Sequence, residues 1–236
     1  FYPKQGLAGL FWVDDGGRSR LGLAFVPFVD YGSATDEAID SLYLPRESDH
    51  IASIGADISV PSGATIVDGA GRTLVPGFID AHTHAREDAL ERAVLFGVTT
   101  ELDMFTDPDF AAKRREEERQ GRVTTRADLR SAGILVTAPE GHGTEFGMPI
   151  PTLARAEDAR AFVAARIAEG SDYIKLVRDD GSPYGLTWPT LTADEVAATV
   201  AAAHWYHKLV VSHIGTQADA VVAIDAGVDG LVHLFE

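Results

Sequence analysis

Val75-Pro76-Gly77-Phe78-Ile79-Asp80-Ala81-His82-Thr83-His84 is the stretch on which the fold turns. Proline fixes φ and glycine permits backbone conformations that a Cβ resists, so Val75-Pro76-Gly77 signals a turn and a strand is expected from Phe78. Side chains alternate between the faces of a strand, and His82 and His84, at i and i+2, therefore share one face. Two neutral imidazoles side by side supply half of a metal site. For a bare His-x-His the ordinary alternative is a pair of hydrogen-bonded histidines at a strand end. The rest of the chain shifts the balance, because it supplies further candidate ligands in strands of the same type.

Downstream of this stretch, β-branched runs alternate with Ala-rich helical segments, the pattern of repeated βα units. Six strands are predicted: Phe78–His84, Val98–Met104, Gly133–Ala138, Tyr173–Val177, Leu209–His213 and Gly230–Leu234. Helices with proper ends lie between them. Thr106-Asp107-Pro108 opens one that closes at Gly121, Ala156–Glu169 ends at Gly170, and Gln217–Ala226 ends at Gly227. Thr192-Ala193-Asp194-Glu195 is a capping box for another. The charge run Lys113–Arg119 is a solvated helix face and is assigned no function. The pattern predicts an α/β chain whose residues 75–236 form a parallel (β/α) TIM-type barrel with six of its eight strands visible. In such a barrel the functional groups collect at the C-terminal ends of the strands. His82 and His84 end the first predicted strand, His213 ends the fifth, and His233 lies near the end of the sixth. Upstream, residues 1–74 read as a small β-rich, sandwich-like domain, with Leu21–Val29, Ile51–Ile54 and Ala64–Val67 as short apolar runs.

Composition narrows the function classes. The 236 residues are 45% hydrophobic, enough for a substantial core, and carry a formal net charge of −16. Nucleic acid and anionic membrane surfaces both select for clustered Lys and Arg, so neither is an expected partner. A small-molecule substrate is expected, and a homo-oligomer is allowed. Cysteine is absent, so a transition-metal site must use His, carboxylate or modified Lys. No apolar run approaches the roughly 20 residues of a membrane span. Composition leaves the compartment open, with the cytoplasm as the default expectation.

Lys175 lies within Tyr173-Ile174-Lys175-Leu176-Val177, where alternation puts Tyr173, Lys175 and Val177 on one face. A snorkelling lysine, or one paired with Asp179, is the ordinary account. The functional alternative is a desolvated lysine, neutral enough to add carbon dioxide and become an anionic carbamate that bridges two metals. Among weaker candidates, His142 lies in the loop Glu140–Glu145 after the third predicted strand, where it would either meet substrate or be an ordinary loop residue. Tyr184 and Trp188, after the fourth, would form an apolar wall or pack against a loop. Glu101 and Asp103 share a face and would either orient a ligating histidine or be buried carboxylates bonded to threonines. His50, His204 and His207 lie away from strand ends and are read as non-ligands.

Taken together and in order, several segments resemble the amidohydrolase superfamily, in particular its imidazolonepropionase-like and Xaa-dipeptidase-like branch. They are Ile51–Gly55, Asp68–His84, Gly97-Val98-Thr99-Thr100, Tyr173-Ile174-Lys175, Val211-Ser212-His213 and Ala226–His233, so the resemblance covers about Asp49 to Glu236. It implies that His82 and His84 bind the more buried metal, that Lys175 is the carboxylated bridge, and that His213 and His233 bind a second ion, with zinc as the expected occupant. It also implies hydrolysis of C–N bonds in amides, peptides or N-acyl amino acids by a metal-activated hydroxide. In that family a carboxylate on an eighth strand manages the proton, and strands seven and eight would have to follow His233, so the natural chain is expected to continue. A non-catalytic fragment, or a subunit completed by a partner, is the competing reading.

Overall fold

The computed structural model describes residues 4–10, 23–30, 41–43, 53–55, 59, 62, 75–120 and 125–234. The predicted run Ala64–Val67, His50 and motif residues 68–74 lie outside the described residues. The chain divides into two compact units, one of residues 1–79, 87–100 and 116–128, the other of residues 80–86, 101–115 and 129–236.

In the first unit, β1 (Lys4–Leu10) pairs antiparallel with β2 (Leu23–Asp30), and β3 (Ser41–Tyr43) with β4 (Ser53–Gly55). Helix α1 (Ala89–Ala93) runs into a 3-10 turn, Val94–Phe96, which stops at Gly97. Gly97 has φ +85°, a left-handed conformation that favours glycine. Its carbonyl then accepts the Phe78 amide at 2.9 Å, which sets the start of the histidine-bearing strand.

Two three-stranded sheets carry the chemistry-bearing strands. β5 (Phe78–Thr83), β6 (Val98–Asp103) and β7 (Asp128–Ser131) form one, in that order. β8 (Ile174–Arg178), β9 (Val210–Ile214) and β10 (Gly230–Leu231) form the other, in the order β8-β9-β10 and parallel throughout. The register sets Lys175 beside Val211 and Val177 beside His213. In the second unit, α3 (Ala159–Ala168) and α4 (Ala193–Trp205) cover one face of this sheet, and α5 (Gln217–Asp225) follows β9. Ile174 and Leu176 of β8 join Val136, Val163, Val196 and Val210 in the core against these helices. Each such side chain contributes about 1.5–3 kcal/mol on burial. Lys175 and Val177 occupy the opposite face, as the alternation requires.

The helix ends follow the local chemistry. The Thr192 hydroxyl accepts the Glu195 amide at 3.2 Å, while the Glu195 carboxylate accepts the Thr192 amide at 2.7 Å. Thr216 and Asp219 make a second capping box at α5, with Asp in the place usually taken by Glu or Gln. Asp229, inside the segment Ala226–His233, has a structural task. Its carboxylate accepts the Val210 amide at 2.7 Å and lies 2.9 Å from His204 Nε2, tying the start of β9 to the end of α4. His204 is thereby a surface partner of Asp229.

Two predicted strands differ from the structure. The third, expected at Gly133–Ala138, is found at Asp128–Ser131, and of the predicted residues only Val136 makes a ladder contact, a parallel bridge to Leu176. The cause is Gly133, whose φ of +63° breaks the chain direction between the two segments. Its carbonyl accepts the Thr106 amide at 3.2 Å. The sixth strand is only Gly230–Leu231, after which the Val232 amide still reaches the Ser212 carbonyl at 3.0 Å. Ala156–Glu169 divides into a 3-10 turn, Ala156–Asp158, and α3.

Candidate metal centre

All the side chains of the candidate centre belong to the second unit. His82, on β5, and His84, just past its end, have ring centroids 5.6 Å apart. The His82 ring lies 4.5 Å from that of His233, and His233 lies 4.5 Å from His213 of β9. Lys175 of β8, 3% exposed, is close enough that its charge acts on all four imidazoles. The structure thus gathers His82, His84, Lys175, His213 and His233, which lie on or next to β5, β8, β9 and β10. Within the β8–β9–β10 sheet the cause is strand alternation combined with the parallel register.

The second nitrogen of three histidines is already engaged. His82 Nδ1 lies 3.0 Å from the Val232 carbonyl oxygen, His84 Nδ1 lies 3.3 Å from that of Phe105, and His213 Nε2 lies 3.0 Å from Asp179 Oδ2. A ring nitrogen that donates to a carbonyl or carboxylate leaves the other with its lone pair, which is how metal-ligating histidines are oriented. Burial lowers the pKa of His82, His84 and His213. Burial, with the His213 and Lys175 charges, takes His233 down to about 4. These imidazoles are therefore neutral at pH 7, the form that binds metal. Burial also brings Lys175 down to about 7, opposed by the Asp103 carboxylate. A donor set of neutral imidazoles and one desolvated amine suits a divalent metal ion.

Asp103 is bound from two sides. Its carboxylate accepts the Ala85 amide at 2.8 Å and the Ser131 hydroxyl at 2.6 Å, and burial raises its pKa to about 6. The Ala85 contact fixes the backbone immediately after His84. Of the two expectations for Asp103, the structure gives a buried carboxylate, held by a serine and an amide in place of threonines. Burial raises the Glu101 carboxyl above its ordinary value.

Asp179, expected beside Lys175, instead faces His213, with its amide donating to Thr190 Oγ1 at 2.9 Å and its Oδ1 accepting the Gly181 amide at 2.8 Å. His142, Asp179 and His213 bring one donor atom each within 4.8 Å of one another, a second donor set that shares His213. Nothing in the spacing of Asp179 along the chain indicates this, because it depends on the β8–β9 register. His142 stacks on Trp188 at 4.8 Å and lies 4.9 Å from the His213 ring. Tyr184 is 55% exposed in the 3-10 turn Ser182–Tyr184.

The described chain is α/β, with parallel strands and a cluster of histidines on or next to strands, and comparison with known proteins returns chains of similar fold. No family model matches the chain. Curated relatives are dihydroorotases. That of Mycobacterium tuberculosis is 49% identical over 43 residues, which is 18% of this chain and 10% of the enzyme, and that of Geobacter sulfurreducens is 38% identical over 63 residues, 27% and 14% respectively. Among solved structures, a putative prolidase from Bifidobacterium longum matches with a TM-score of 0.63 at 20% identity, covering 98% of this chain and 54% of that one. A Xaa-Pro dipeptidase with methionine bound in its active site matches with a TM-score of 0.54 at 23% identity, covering 78% and 57%. The chain thus spans little more than half the length of these structures, and its matches span a seventh or less of the curated relatives. These proteins are members of the amidohydrolase superfamily, in agreement with the resemblance in the sequence. No helix among the described residues is long and apolar enough to cross a membrane.

Proposed function

We propose that the protein is a metal-dependent hydrolase of C–N bonds in small amides, peptides or N-acyl amino acids. The observation that carries this reading is the gathering of His82, His84, His213 and His233 around the buried Lys175. These five side chains would hold one or two divalent ions, zinc by preference, with Lys175 carboxylated to bridge them. Such ions polarise a carbonyl and lower the pKa of water towards about 7. The chain's own residues supply the order around that chemistry. The Val232 and Phe105 carbonyls and the Asp179 carboxylate hold three imidazoles in fixed orientations, so little reorganisation remains for the reaction. Burial of Lys175 disfavours its ammonium form, which cannot add carbon dioxide. His142 and Tyr184, on the loops beyond the strand ends, would meet the substrate.

The dipeptidase and prolidase neighbours support an amide or peptide substrate, and the dihydroorotase relatives support a C–N bond more generally. The test is turnover of a panel of dipeptides and N-acyl amino acids by the zinc-loaded protein, with His82→Ala/His84→Ala alongside. Hydrolysis by the wild type that is lost in the double variant is the expected result. Metal binding without turnover of any amide would favour a non-catalytic scaffold instead.

A further inference from the structure

We infer that the substrate group lying beside His142 is an aromatic ring that carries no carboxylate, an inference that rests on the hydrolase reading of the same site. Four rings form a continuous row. Phe105 and Phe146 are 6.1 Å apart, Phe146 meets His142 edge-on at 6.0 Å and 65°, and His142 stacks on Trp188 at 4.8 Å and 17°. The row touches the metal centre at two places: the Phe105 carbonyl oxygen is 3.3 Å from His84 Nδ1, and the His142 ring is 4.9 Å from that of His213. Its ring area is not used up by packing, since Phe146 is 62% exposed and Trp188 is only half-buried. A further planar ring would find the edge and offset contacts that such a row offers, and a saturated ring of similar size would not.

The row is also built in advance of any ligand. Gly181, at φ +77°, turns the loop so tightly that a Cβ there would stand 2.9 Å from Trp188 Cε3, and the Trp188 amide donates to the Asp180 carbonyl at 2.8 Å. On the other loop, the Glu145 carboxylate accepts the Gly143 amide at 2.6 Å and lies 2.5 Å from His142 Nδ1, beside the imidazole that stands between Trp188 and Phe146.

Charge gives the second half of the inference. Residues 139–152 and 179–192, the two loops that carry His142, Phe146 and Trp188, contain no Lys or Arg and four acids, Glu140, Glu145, Asp179 and Asp180. Glu145 is occupied with His142 and Asp179 with His213, while Glu140 is exposed and Asp180 partly so. A substrate carboxylate against these two loops would meet their acids and no lysine or arginine of theirs, so the group bound there is neutral or amine-bearing.

Three small probes test this on the zinc-loaded and on the metal-stripped protein: N-benzylacetamide, N-(cyclohexylmethyl)acetamide and phenylacetate. Binding is followed by saturation-transfer NMR and by tryptophan fluorescence. N-Benzylacetamide is expected to bind about fivefold more tightly than either of the other two, and that preference should disappear in Trp188→Ala and in Phe146→Ala. The exposed position of Phe146 keeps its variant informative if Trp188→Ala fails to fold. Equal binding of the saturated probe, tighter binding of phenylacetate, no binding of any probe, or a preference that survives Phe146→Ala would overturn the inference. The aromatic preference without amide hydrolysis would remove the hydrolase reading alone, and hydrolysis without the preference would remove this inference alone.

Discussion

Replacing Gly215 with alanine should damage the centre without altering His82, His84, Lys175, His213 or His233. A Cβ at position 215 would stand 2.4 Å from Asp179 Oδ1 and 2.8 Å from its Cγ. Ordinary contact begins at 3.4 Å, so the carboxylate and the new methyl must separate by a further 1.0 Å (3.4 minus 2.4). Asp179 is 1% exposed and has little room to retreat. Its movement would stretch the 3.0 Å contact with His213 Nε2 and the 2.8 Å bond from the Gly181 amide. Overpacking costs about 1–3 kcal/mol, and a weakened hydrogen bond to a charged group costs about 1.5–3 kcal/mol. Since the two share one displacement they do not add fully, and about 2–4 kcal/mol is expected. For a chain of this size that lowers Tm by roughly 5–15 °C. The assay is thermal unfolding by circular dichroism of wild type, Gly215→Ala, Asp179→Ala and the double variant, all stripped of metal. In the Asp179→Ala background the added methyl has nothing to strike, so it should cost less than about 1 kcal/mol there. If Gly215→Ala melts within about 1 °C of wild type, or costs the same in both backgrounds, the proposed clamp on His213 is wrong.

Lys175→Ala should abolish amide hydrolysis and reduce bound metal, whereas Lys113→Ala, on α2 (Pro108–Arg119), should leave both unchanged. Short carboxylic acids should partly restore metal binding to Lys175→Ala, because they replace the oxygen donors of a carbamate; wild-type turnover in the variant without additive would exclude that role. Asp229→Asn should lower stability by about 1–2 kcal/mol through its bonds to Val210 and His204, as read from chemical denaturation. Burial alone would raise the Asp229 pKa, but the hydrogen bonds from His204 and the Val210 amide outweigh it and the net shift is downward. The stability Asp229 contributes is therefore present above its unfolded value of about 4 and lost as pH falls through the lower folded value. Wild type and Asp229→Asn should accordingly converge in stability under strong acid, and a gap that widened there would refute this.

The parts of this architecture legible in the sequence are those set by neighbouring residues. The turn at Val75-Pro76-Gly77, the period-two placement of His82 and His84, and the Thr192 capping box all depend on local backbone chemistry. The third strand is not legible, because Ile134-Leu135-Val136 is apolar enough for a strand while the adjacent Gly133 adopts a left-handed conformation. Asp179 could not be paired from sequence, since its partner His213 is 34 positions away and meets it only through the β8–β9 register. The stacking of His142 on Trp188 is of the same kind, as two loops far apart in sequence determine it. Lys175 is legible as an anomaly, a charged residue within a buried strand, whereas the Asp103 carboxylate of β6, which opposes the effect of burial on it, is not.

The most direct test of the central claim is metal content by mass spectrometry, per protein chain, for wild type, His82→Ala/His84→Ala and Asp179→Asn. Wild type should carry about one to two zinc-type ions. The double histidine variant should lose at least one, and Asp179→Asn, which keeps the side-chain shape beside His213, should retain more metal than the double variant. Unchanged stoichiometry in His82→Ala/His84→Ala, or complete loss in Asp179→Asn alone, would contradict a centre built on His82, His84, Lys175, His213 and His233 and would point to the His142, Asp179 and His213 set instead.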